Sequence, residues 1–198
     1  MYVADGRGYP PDVTDARWVD DDVLSAVDGE PYAPPDPVLT AITAAARGGG
    51  LWWAICAGLA VRRGAARTAA AQGAASVAAA LVTAQLLKRV LPYRQRPPAD
   101  GSAARHALPE RPTSSSMPSA HAATGAAFVT SLLLENRALG VAVFPVFVAA
   151  AYGRLRTRVH WPSDVLVGAV VGAVAAGAVR AVWRHSDAGQ VTWSARTS

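Results

Sequence analysis

What this chain lacks narrows its possible functions. Its single cysteine, Cys56, lies in an apolar run, so no disulfide can close within the chain. Acidic residues are scarce beyond the N-terminus. Nine of the fourteen fall in the first 36 positions, and from Pro37 onward five Asp or Glu face seventeen Lys or Arg. A pI near 10 points to an anionic partner. Apolar runs between the cations argue against nucleic acid and for a membrane with an anionic substrate. No Asp, Glu, His and Cys residues gather with ligand spacing, so neither a metal nor another cofactor is expected. Met1 to Pro37 is acidic and proline-rich, unlike a cleavable signal peptide.

What is abundant is uncharged apolar sequence. Thr68 to Leu87 has twenty residues without a charge, about what a bilayer core requires. Ala120 to Leu134 and Ala138 to Tyr152 read as a helical hairpin across Glu135-Asn-Arg137, and Val165 to Val179 as a last helix. Gly168, Gly172 and Ala176 give that last helix a face of small residues for close packing. Val38 to Val61 is interrupted by Arg47 and Gly48 to Gly50, which suggests an interfacial part followed by a deeper one. Five crossings result. A water-soluble alanine-rich bundle is the competing architecture, and the absence of amphipathic charge inside the runs counts against it. Residues 1–36 read as an acidic surface segment, with one short amphipathic helix around Val19 to Val27 or simply a solvated leader. Residues 37–184 form the membrane domain and 185–198 a polar tail.

Three charged stretches stand at the ends of these runs. Gly153-Arg-Leu-Arg-Thr-Arg-Val-His-Trp-Pro-Ser-Asp164 puts His160 just before a helix that Pro162 suits as a first-turn residue. Asp164 then lies in that first turn, four residues from His160, where it can fix one imidazole nitrogen and free the other. Arg154 offers a planar fork suited to phosphate oxygens. In Pro118-Ser-Ala-His121, Ser119 is a natural N-cap and His121 lies beside the anion-attracting start of a helix. Lys88-Arg-Val-Leu-Pro-Tyr-Arg-Gln-Arg-Pro97 carries four cations within nine residues up to Arg96. Each stretch alone has a bland explanation: a basic loop with a capping acid, or an interfacial anchor. Together they supply phosphate-binding cations, a helix N-terminus, two histidines and a carboxylate.

In this combination the chain resembles the type 2 phosphatidic acid phosphatase (PAP2) superfamily, whose pattern is Lys-x6-Arg-Pro, Pro-Ser-Gly-His and Ser-Arg-x5-His-x3-Asp. Arg154, His160 and Asp164 match the third part, with Gly153 where serine is usual. Pro118, Ser119 and His121 match the second, with Ala120 for glycine. In the first part seven residues separate Lys88 from Arg96, so either Lys88 or Arg89 fills the lysine position; Lys88 is preferred. The resemblance spans roughly Asp36 to Trp183. It implies an all-α, polytopic transmembrane bundle of about five spans, with an interfacial N-terminal helix. It also implies a metal-independent lipid phosphatase acting on a prenyl phosphate or diphosphate or a phosphatidate-like lipid. In that scheme Lys88, Arg96, Ser119 and Arg154 bind phosphate, His160 attacks, Asp164 orients it, and His121 protonates the leaving group.

Counting helices puts all three stretches on one side of the membrane. The positive-inside count mildly favours the cytoplasmic side, whereas the resemblance implies the extracytoplasmic face of the cell membrane. The rival function is a non-catalytic polytopic protein that binds anionic lipid headgroups. A vanadate-dependent haloperoxidase would share the three-part site, but the apolar runs and small size oppose it. His106 and His185 are expected to be solvated, and Tyr152 and Trp161 to mark the interface.

Overall fold

The computed structural model describes residues 17–28, 36–98 and 112–194. The leader before Arg17 and the part of the long loop that holds His106 lie outside them. Among the described residues the regular structure is helical: α1 (Arg17–Asp28), α2 (Pro37–Ala45), a 3-10 turn (Arg47–Gly49), α3 (Gly50–Ala60), α4 (Ala65–Val90), α5 (Ala120–Glu135), α6 (Arg137–Arg156) and α7 (Pro162–Ser194).

Local chemistry sets the breaks. Asp36 caps α2, accepting from the N–H groups of Val38 and Leu39, and Pro37 opens the first turn. Gly48 and Gly49 take φ of 59° and 80°, a left-handed conformation that glycine adopts without a Cβ penalty, and this separates α2 from α3. Asn136 divides α5 from α6, its side chain accepting from Leu139 N.

Helix α5 is the centre, enclosed by α4, α6 and α7 and touched by α3 and the 3-10 turn. Residues 122–129 along it are all buried. Small residues decide how near α7 comes. A Cβ on Gly168 would run into the carbonyl of Ser119, and one on Gly172 would meet Ala123 O and lie 2.8 Å from Ala127 N. The expected small-residue face therefore meets α5 backbone to backbone. Larger side chains fill the other side of α5, where Trp52 and Phe128 lie with ring centroids 5.6 Å apart, in one buried cluster with Val77 and Leu132.

The outward faces are apolar too: Val82 and Leu86 on α4, Phe144 and Val148 on α6, and Leu166, Val170 and Val174 on α7 are exposed. Three helical segments, Ala65–Val90, Arg137–Arg156 and Pro162–Ser186, are long and apolar enough to cross a membrane. The other two runs expected to cross are shorter, α3 with 11 residues and α5 with 16, and neither is among those three.

Helix α7 runs on to Ser194, through part of the segment read as a polar tail, with no proline after Trp183 to stop it. The acidic N-terminal segment forms its short helix, α1, which touches α6 and α7 along one face and leaves Val19, Asp21, Asp22 and Val23 exposed. Leu24 supplies its apolar anchor and Asp20 is only 3% exposed.

Candidate active site

The three charged stretches meet at one end of the bundle, where α4 and α6 finish and α5 and α7 begin. The joints are direct. Ser119 N donates to Asp164 O at 2.9 Å, Lys88 Nζ to Ser115 O at 2.5 Å, and Arg96 to Val159 O at 2.5 Å. Ser119 caps α5, accepting from Ala122 N, and is fully buried. His121 therefore lies in the first turn of α5, beside the helix's open N–H groups.

After α6 the chain turns through Arg158, whose φ of 47° is uncommon for a residue with a side chain. That turn delivers His160, 3% exposed, to Asp164, fully buried in the first turn of α7. Trp161 N donates to Asp164 Oδ2 at 2.9 Å, the N3-to-cap half of a capping box. His160 Nδ1 stands 3.5 Å from that same oxygen, within electrostatic reach but without a formed hydrogen bond. Nε2 then faces away from the carboxylate. Burial pushes the His160 imidazole down to about 4; Asp164 opposes this, while the charges of Arg154 and Arg96 add to it. The ring is neutral at neutral pH, as a nitrogen nucleophile must be.

The cations are unequal. Arg154 is buried, and its Nε has no hydrogen-bond partner; buried His121 Nε2 has none either. Arg96 donates to the carbonyls of Pro112, Ser114, Ser115 and Val159, which makes it a clasp for the backbone around the site. Lys88 is half-buried at the site and Arg89 is exposed. The charge of Arg47, from the 3-10 turn, reaches both His121 and Arg154. Among the described residues no group of three or more His, Cys, Asp or Glu could hold a metal ion.

Some site residues were not singled out from sequence. Arg94, read only as one of four cations, donates to Asp164 Oδ1 at 2.7 Å and to Asp20 Oδ2 at 2.6 Å. Its guanidinium also lies 5.6 Å from the centre of the Trp161 ring, and Trp161 Nε1 donates to Gln95 O at 2.9 Å. That tryptophan is fastened to the first stretch. The available signal was Trp161 itself: a residue without a side-chain oxygen at a helix start needs a cap from elsewhere. His185 is exposed, as expected.

A family model for the PAP2 superfamily matches residues 69–187, and the chain belongs to that superfamily. Its fold is similar to that of LpxE from Aquifex aeolicus, with a TM-score of 0.63 at 19% identity over 81% of this chain and 94% of that one. It is also similar to a transmembrane PAP2 type phosphatidylglycerolphosphate phosphatase from Bacillus subtilis, with a TM-score of 0.60 at 18% identity, covering 86% and 87% of the two chains. No curated protein matches it in sequence. The architecture is thus that of PAP2 membrane phosphatases.

Proposed function

We propose that the chain is a multi-pass membrane lipid phosphatase, with residues 37–184 as its catalytic domain and its site on the extracytoplasmic face of the cell membrane. Its substrate is a phosphomonoester or diphosphate of a lipid, either prenyl or phosphatidate-like. The observation that carries this reading is one of unmet hydrogen bonding. Buried Arg154 Nε and His121 Nε2 lack partners beside the His160–Asp164 pair and the start of α5. Buried polar atoms are normally satisfied, and a phosphate group would satisfy these.

In the reaction, Lys88, Arg154 and the first N–H groups of α5 hold the phosphate oxygens, while Ser119 and Arg96 keep that cradle in shape. His160 Nε2 attacks phosphorus as the bond to the leaving oxygen breaks, and His121 gives that oxygen a proton. Water then attacks the phosphohistidine, His121 takes its proton, and inorganic phosphate leaves. Side-chain cations supply the charge neutralisation throughout, so no step calls for a metal or another cofactor. A protein that merely bound headgroups would have no use for a carboxylate orienting a neutral histidine.

The test is phosphate release in detergent, with chelator present, from prenyl and glycerolipid phosphates and diphosphates, using His160→Ala as control. Release that persists in chelator and vanishes in the control is expected. Binding of anionic vesicles without release would favour the headgroup-binding protein, and activity restored only by magnesium would overturn the mechanism.

A further inference from the structure

We propose that Asp20, on the N-terminal helix α1, is a positioning residue for the reaction, acting through Arg94 on Asp164; this rests on the reading above, in which Asp164 orients the nucleophile. The contacts form a closed set. Asp20 Oδ2 accepts from Arg94 at 2.6 Å and from Ser163 Oγ at 2.6 Å, and Asp20 Oδ1 accepts from Ser163 N at 2.8 Å. Arg94 spends its other terminal nitrogen on Ser163 Oγ and Asp164 Oδ1, each at 2.7 Å. One guanidinium thus bridges two buried carboxylates that are 144 positions apart in sequence.

Each member depends on the others. Asp164 can present Oδ2 to His160 only if its other oxygen is held, and Arg94 holds it. Arg94 leaves the chain at a loop, not a helix, so its side chain needs a second anchor to stay on Asp164. Asp20 is that anchor. It also caps α7 at Ser163 N, the helix start for which Trp161 offers no oxygen, so it fixes the turn that carries Asp164. Removing one partner from such a buried network leaves the remaining charge uncompensated and free to re-pair. With Asp20 neutral, Arg94 would be drawn wholly onto Asp164, weakening that carboxylate's hold on His160. The N-terminal helix is then part of the catalytic apparatus without touching substrate. Two contacts from α6 to Val27 O, by Arg156 at 3.1 Å and Tyr152 at 3.5 Å, keep α1 in place.

The test is a double-mutant cycle on turnover, with farnesyl diphosphate and dioleoyl phosphatidic acid in dodecyl maltoside micelles as probes. Asp20→Asn is expected to lower kcat about tenfold while KM moves less than about twofold, because the phosphate cradle is intact. In an Asp164→Asn background the same change should cost nothing further, since its route runs through that carboxylate. An undiminished kcat in Asp20→Asn, or an equal loss in both backgrounds, would overturn the proposal. Full turnover by Asp164→Asn alone would instead refute the reading of the site, and the proposal with it. If Asp20→Asn does not fold, Arg94→Lys provides the second route. A lysine keeps the charge but has no planar fork to bridge both carboxylates, so the same selective fall in kcat is expected. A wild-type kcat in Arg94→Lys would equally overturn the idea.

Discussion

The hydroxyl of Thr43 fills the space in which a side chain on Gly153 would begin. Thr43 is buried on α2, and its Oγ1 has no hydrogen-bond partner. The PAP2 pattern places serine just before the arginine that is Arg154 here. This chain has glycine there and brings an oxygen to the same place from another helix. Gly153→Ser should therefore be harmful alone, by about 1–3 kcal/mol of overpacking. Thr43→Ala should relieve it, giving a coupling of about 1 kcal/mol or more in a double-mutant cycle read by thermal melting in detergent. Additive losses would mean that the two residues do not share this space.

His160 makes stability depend on pH in a definite direction. The folded value is about 4 and the unfolded one 6.5, so between these limits the unfolded chain binds a proton that the folded chain does not. Above 6.5 the residue contributes no slope. As pH falls from 6.5 to 4 the fold loses stability, up to roughly 3 kcal/mol from this residue. Melting curves of wild type and His160→Gln over that window should converge as pH drops, because the variant has no imidazole there to titrate. Curves that stay parallel would mean that His160 takes up its proton in the folded protein.

The motifs were legible in the sequence because helix ends are local. Ser119 caps α5 and Pro162 opens α7 for reasons contained in a few neighbouring residues, and cations at apolar run ends mark where chains leave a bilayer. The small-residue face of α7 was legible for the same reason. Asp20 was not. An acidic stretch at a helix start has a sufficient local explanation in the helix dipole, so nothing nearby asks for Arg94 or Ser163. Nor does sequence reveal how a cation spends its donors: Arg96 sits in the motif, yet it mainly clasps backbone carbonyls.

Lys88 should carry the first motif's charge. Its Nζ reaches Ser115 O at 2.5 Å beside the site, whereas Arg89, one residue on, is exposed. Lys88→Ala should lower kcat/KM more than tenfold, about 1.4 kcal/mol or beyond, with Arg89→Ala near wild type. The reverse pattern would assign the phosphate to Arg89.

The two histidines should fail in different ways. His160 has Asp164 behind it, so removing it should abolish turnover of every substrate. His121, proposed as the proton donor, has its buried, unpartnered Nε2 at the start of α5 and no carboxylate to orient it. Its loss should fall hardest on substrates with poor alkoxide leaving groups, since a good leaving group needs little protonation. An aryl phosphate or a diphosphate should be partly spared in the first step. Hydrolysis of the phosphoenzyme then becomes slow, because His121 no longer takes the proton of the attacking water. Rapid quenching of His121→Ala with phosphorus-labelled substrate should trap label on His160, in an acid-labile and base-stable linkage. Label on another residue, or equal loss on all substrates with no trapped label in either variant, would reverse or remove the assignment.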